Sequence, residues 1–174
     1  VVVVIQPIGF IDLSVFTAHY LVKYKERMQD GILVLRGHNP DDPLDDTVVD
    51  HRILKEWKSA RGALARIQAG AGALLKTDTP QLGKVWIEML PGGHGTPWQQ
   101  FEDDYAQAHI RTRTCMVPAP DCYSYSGFHR ELLAVGVLNV VEHRILHSET
   151  NFSAYPRVHL VVDVKRPEAD AEES

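Results

Sequence analysis

From about residue 85 to residue 164 the chain is a succession of short apolar runs cut by glycine and proline turns. The runs lie at residues 85–90, 109–117, 122–126, within 132–141, and at 158–164; all are short and bounded by turn residues, and Val, Leu and Ile dominate those at 85–90, 132–141 and 158–164. Runs of this kind predict strands rather than helices. Several short strands in one stretch fold as a sandwich or jelly roll, because a single sheet would leave an apolar face in water.

What precedes them reads differently. Residues 1–6 predict a strand broken by Pro7 and Gly9. From Asp12 a helical period places Phe16, Tyr20, Tyr24 and Met28 every four residues, until Gly31 ends it. Residues 32–36 predict a short strand, and residues 39–46, with two prolines and four aspartates, a polar loop. A second helix is expected over 54–68, with Leu54, Trp57, Leu64 and Ile67 on one face and Gly70 and Gly72 ending it. Two helices ahead of a sheet can cover one of its faces. The expected fold class is therefore α+β, mainly β, in one domain over residues 1–166. Residues 1–80 supply the N-terminal strands and helices, residues 81–166 the β core, and 167–174 a frayed acidic tail.

Composition narrows the function classes. The 174 residues are 44% apolar and 24% charged, enough for a full core. A net charge of −5, with no basic tract gathering the 18 Lys and Arg, argues against nucleic acid as a partner. No apolar run approaches the ~20 residues of a membrane helix. The Val-rich start has no basic flank and reads as a strand, not a signal peptide. Cys115 and Cys122 make no disulfide framework; free thiols in a cytoplasmic protein are expected, rather than a pair facing each other across a hairpin.

Strand alternation gathers a polar set. His109, Arg111 and Arg113 share one side of their strand, and Arg157 and His159 share one side of theirs. If these sides face a cleft, the three arginines need counter-charges. Glu88, Glu131 or Asp163 supply them internally, or an anionic ligand does so through bidentate contacts.

Spacing adds a family resemblance. Leu90-Pro91-Gly92-Gly93 precedes Trp98, His109 stands eleven residues after Trp98, Gly136 eleven before His147, and Arg157 ten after it, with Asn151 between. Over residues 80–166, and more loosely 30–37, this set resembles the C-terminal half of the aspartyl/asparaginyl (and proline) β-hydroxylases. The resemblance implies a double-stranded β-helix (jelly roll, cupin-like) that uses Fe(II) and 2-oxoglutarate. It makes His147 the distal iron ligand, Arg157 the partner of the cofactor's distal carboxylate, and His109 a cofactor contact. Three positions depart from the pattern. Trp98 stands for the proximal histidine, Gln100 for the carboxylate, and Gln107 for a second arginine. Indole does not ligate metals, and a single imidazole is too few ligands to hold Fe(II).

The expectation is a jelly roll that has lost its conventional iron site and uses neither metal nor cofactor. It would perform isomerase-, cyclase- or lyase-type acid–base chemistry on a small anionic molecule. His147 and His109 are the expected catalytic pair. Arg157, Arg111, Arg113, Trp98, Gln107 and Gln100 are the expected substrate contacts. Trp98 either fills the former metal cavity or walls the pocket, and Tyr123 and Tyr125 line it or lie outside. One alternative is an Fe(II)/2-oxoglutarate hydroxylase, with His147 as a ligand and a displaced partner from His94, Glu102, Asp103 or Asp104. Another is a non-catalytic metabolite-binding protein.

Overall fold

A computed structural model of the protein describes residues 5–38, 40–41 and 47–167. The expectations for residues 1–4, for most of the 39–46 loop and for the tail from residue 168 lie outside the described residues. In chain order the elements are β1 (Ile5–Phe10), α1 (Ser14–His19), β2 (Ile32–His38), β3 (Val48–Asp50), α2 (Arg52–Glu56), α3 (Lys58–Leu75), β4 (Leu82–Leu90) and α4 (Asp104–Ala108). There follow β5 (His109–Val117), β6 (Cys122–Ser126), β7 (His129–Glu131), β8 (Val137–Val141), β9 (His147–Asn151) and β10 (Arg157–Lys165).

The strands form two facing sheets. The larger has the order β1-β8-β5-β10-β4-β2-β3 and the smaller β7-β6-β9. Their antiparallel pairing and the connections between the two sheets are those of a jelly roll. The sheets do not close into a barrel. Residues 95–99 extend the small sheet irregularly, through isolated bridges of Gly95 to Thr150 and Gln99 to His147.

β10 shows how the sequence sorts itself between layers. Val158, Leu160, Val162 and Val164 enter the apolar core beneath the helices, with Leu64, Ile67 and Trp57. The alternate residues Arg157, His159, Val161 and Asp163 are equally buried but face the space between the sheets. A strand buried on both faces is what a near-continuous Val/Leu run encodes. On the helical side, the Trp57 ring stacks between Phe16 (4.3 Å) and Tyr24 (4.4 Å).

Several expectations shift at this level. The first helix passes from α1 into a π-type turn at Tyr20–Tyr24 and a 3-10 turn at Lys25–Arg27. The second breaks at Trp57 and then runs on to Leu75, where Lys76 ends it in the left-handed conformation (φ 54°). Gly70 and Gly72 do not end it; they let the helix approach its neighbours, since a Cβ on Gly72 would lie 2.9 Å from Pro80. The segment His147–Asn151, outside the expected strands, is strand β9. Its alternate residues His147, Glu149 and Asn151 face inward with Ser126, Ser124 and Cys122, while Ser148 and Thr150 share the outer face with Tyr125 and Tyr123. Only Val137–Val141 of the 132–141 run is in a strand. No helix among the described residues is long and apolar enough to cross a membrane.

Candidate functional site

Between the sheets lies a cavity of about 410 Å³, walled by Ile32, Trp86 and Phe101 and floored by Glu88, Arg111, Arg113, His147, Glu149 and His159. The strand register puts these charges together. Asp163 is the direct partner of Arg111 across β10 and β5, and His159 that of Glu88 across β10 and β4.

Every guanidinium here meets a carboxylate. Arg111 is bidentate to Asp163, at 2.9 and 3.0 Å, while its charge lies 4.7 Å from the Trp86 ring centre and 5.4 Å from that of Phe101. Arg113 donates to Glu149 and stands 3.0 Å from Glu88. Arg157, only 2% exposed, donates to the Cys122 carbonyl (2.8 Å), to Ser124 Oγ (3.0 Å) and to Glu149 (2.9 Å). Burial alone would raise the Glu149 and Glu88 carboxyls. The Arg113 guanidinium, with His159 beside it, outweighs this and holds both below the usual carboxylate range. The three arginines are thus balanced by Asp163, Glu88 and Glu149. That balance leaves no surplus positive charge among these groups. Glu131, the other expected counter-ion, lies on β7 and joins none of these pairs.

His147 starts β9 and lines the cavity, 7% exposed. Its Nδ1 lies 2.8 Å from the Ile145 carbonyl, which can only accept, so Nδ1 carries the proton and Nε2 the lone pair. Nε2 has no protein partner among the described residues. Burial lowers the imidazole pKa, and Arg113 and Arg111 lower it further against the Ile145 bond, so the ring is neutral at neutral pH. Gln99 pairs with it across the irregular bridge, through reciprocal backbone hydrogen bonds of 2.8 Å, and lines the same cavity. Directly opposed residues on an antiparallel pair share a face, so Gln99 stands beside His147 and Trp98 points away.

The remaining expected contacts are not brought to this cavity. Trp98 is 53% exposed on the outer side of the small sheet, its ring 6.1 Å from Tyr125, so it neither fills a metal cavity nor walls the pocket. Tyr123 and Tyr125 alternate with the inward Cys122, Ser124 and Ser126 and likewise face outward. Gln100 is exposed and donates to Glu102, and Gln107 is exposed and donates to the Glu102 carbonyl. His109 stacks on Tyr105 at 3.9 Å and lines an adjoining cleft that shares Phe101 and Arg111 with the first. His109 and His147 therefore line different pockets and do not form a pair. His94 is exposed, and Asp103 caps α4 through the Ala106 amide.

Glu149 and Gln99 were not anticipated. Glu149 follows His147 by two residues, and alternation would have found it had the segment been read as a strand. Gln99 sits in a stretch with too few ladder bonds to carry any pattern.

The residues do not fit the Fe(II) site that the resemblance to the β-hydroxylases implies. Beside His147 stand a neutral amide and two guanidinium groups. The carboxylate on the same strand face, Glu149, is committed to Arg113, Arg157 and Ser124. Arg157 also lines the cavity, but both of its Nη atoms already donate to protein acceptors, and the guanidinium atom without a partner among the described residues is the buried Nε.

No protein-family model matches the chain, and no curated protein matches it. Solved structures do. AviO1 from Streptomyces viridochromogenes Tue57 superposes with a TM-score of 0.62 at 13% identity, covering 94% of this chain and 89% of that one. The non-heme alpha-ketoglutarate-dependent epimerase SnoN from nogalamycin biosynthesis gives 0.60 at 15% identity, over 98% and 85%. A 2OG-Fe(II) oxygenase-family oxidoreductase from Burkholderia pseudomallei gives 0.55 at 12%, over 78% and 68%. The chain spans only 50% of the non-heme monooxygenase ThoJ in its nickel complex, at a TM-score of 0.46 and 18% identity over 59% of this chain, too partial a likeness to bear on function. What the fuller likenesses share with this chain is its fold, the jelly roll of the 2OG-Fe(II) oxygenases.

Proposed function

We propose that the cavity is the active site of a metal-independent acid–base enzyme acting on a small molecule, with His147 as the proton-transfer group. The observation that carries this reading is the Nδ1 bond to the Ile145 carbonyl, which leaves Nε2 as a neutral, unpartnered base in a half-apolar cavity. A base of that kind removes a proton adjacent to a carbonyl, and the oxygen then gains negative charge. Arg111 suits the role of stabilising that charge. Asp163 takes its Nε and Nη2, so the guanidinium is fixed in place while Nη1 makes no protein hydrogen bond among the described residues. Isomerisation, cyclisation and elimination by way of an enolate begin with such a step.

The internal charge balance favours a substrate whose reacting part is uncharged at rest. It is flat or apolar enough to lie against Trp86 and Phe101, and Gln99 offers an amide to orient it. The spacing of Gly136, His147 and Arg157 supports a particular likeness to the aspartyl/asparaginyl β-hydroxylase type within the jelly rolls. The two unpaired thiols support a cytoplasmic setting.

Proton abstraction is read directly by incubating the protein in D2O with a panel of small ketones, enals and β-hydroxy carbonyl compounds, under chelator and without oxygen. NMR should show deuterium incorporation or conversion by the wild type and none by His147→Gln. Conversion retained in His147→Gln, or seen only with Fe(II) and 2-oxoglutarate added, would reject this assignment.

A further inference from the structure

Behind His147 the cavity floor holds a second cluster that the acid–base reading leaves unused. Glu88 on β4, Glu149 on β9 and His159 on β10 bring their ligand atoms within 4.8 Å of one another. Two carboxylates and one imidazole at that spacing form a donor set for a divalent transition metal. What sits among them is a side chain. Arg113 places Nη2 3.0 Å from Glu88 Oε1 and Nη1 on Glu149 Oε1, so one guanidinium bridges both carboxylates. His159 Nδ1 completes the ring at 3.6 Å from Glu88 and 4.0 Å from Glu149. Its Nε2 is buried without a hydrogen-bond partner among the described residues, and His159 itself is 2% exposed.

We propose that the Arg113 guanidinium occupies a cation seat built by Glu88, Glu149 and His159, and that this seat takes a divalent metal ion once the guanidinium is removed. The charge count supports it. With Arg113 and Arg157 present, two positive charges meet two carboxylates, and a metal ion would add uncompensated charge at a buried point. Without Arg113 the two carboxylates face only Arg157, and the deficit calls for a cation. The seat differs from the iron site implied by the resemblance to the β-hydroxylases: it lies on β4, β9 and β10 and does not include His147. The proposal does not rest on the catalytic role given to His147.

Mn(II) is the probe, followed by loss of the free-ion EPR signal. The wild type should take up no stoichiometric Mn(II) at this cluster. Arg113→Ala should bind one ion per chain at least about tenfold more tightly than the wild type. It should also gain thermal stability on Mn(II) addition, and lose the ion when Glu149→Gln is added. Free guanidinium ion should displace Mn(II) from Arg113→Ala competitively, because both occupy one seat. Arg113→Gln serves as the second variant, and both are purified with Mn(II) present. Stoichiometric binding by the wild type that Glu149→Gln abolishes would overturn the proposal. So would folded variants that bind no better than the wild type, or variants that Mn(II) fails to keep folded.

Discussion

Glu149 accepts from both Arg113 and Arg157, two guanidinium groups that are almost wholly buried, and from Ser124 at 2.8 Å. A buried pair stabilises little relative to apolar packing, but removing one partner strands the other. Glu149→Gln keeps the shape and deletes the charge that both arginines share. It should destabilise the protein by about 3–5 kcal/mol in chemical denaturation. A loss below about 1 kcal/mol would mean that the arginines are paired otherwise in solution. At this scale the sequence was half legible. Alternation put His109, Arg111 and Arg113 on one side of β5 and Arg157 and His159 on one side of β10, and offered Glu88, Glu131 or Asp163 as counter-charges, of which Glu88 and Asp163 pair with the arginines. It could not show that the counter-charges suffice, because that depends on which residues oppose one another across strands. Trp98 shows the same limit: spacing aligned it with a metal ligand, but the bridge between Gln99 and His147 turns it outward.

The turn between β8 and β9 carries the least satisfied histidine of the fold. His143 is 1% exposed and neither ring nitrogen has a hydrogen-bond partner among the described residues. Burial, aided by Arg111 and against the pull of Asp163 and Glu142, lowers its pKa from 6.5 to about 4. The folded state therefore keeps the ring neutral where the unfolded chain takes up a proton. Its contribution to stability is fully present above pH 6.5 and is lost as the pH falls through the interval down to about 4. The loss is on the order of 3 kcal/mol. His143→Leu should flatten the stability profile in that interval; an unchanged slope would refute the assignment to His143. Elements were legible where residue type and period agree, as in β5 and β6. They were missed where the two conflict. β9 is a polar strand, and its inward residues Glu149 and Asn151 find their partners inside the fold. Gly70 and Gly72 are helix residues selected for close approach to Leu138 and Pro80.

Across the whole molecule, the layering follows from two periods: a helical one before residue 80 and a strand one after it. The chemistry does not follow from the layering. The jelly roll brings a histidine, arginines and carboxylates into one cavity, but whether they serve a metal or neutralise one another is decided by side-chain pairing. Here the guanidinium groups and carboxylates pair off, and His147 is left neutral with its Nε2 unpartnered among the described residues. The most direct test is anaerobic titration of the metal-stripped wild-type protein with Fe(II), with and without 2-oxoglutarate. No stoichiometric uptake is predicted in either case. Tight one-to-one binding, strengthened by 2-oxoglutarate, would contradict the account and return the cavity to iron chemistry.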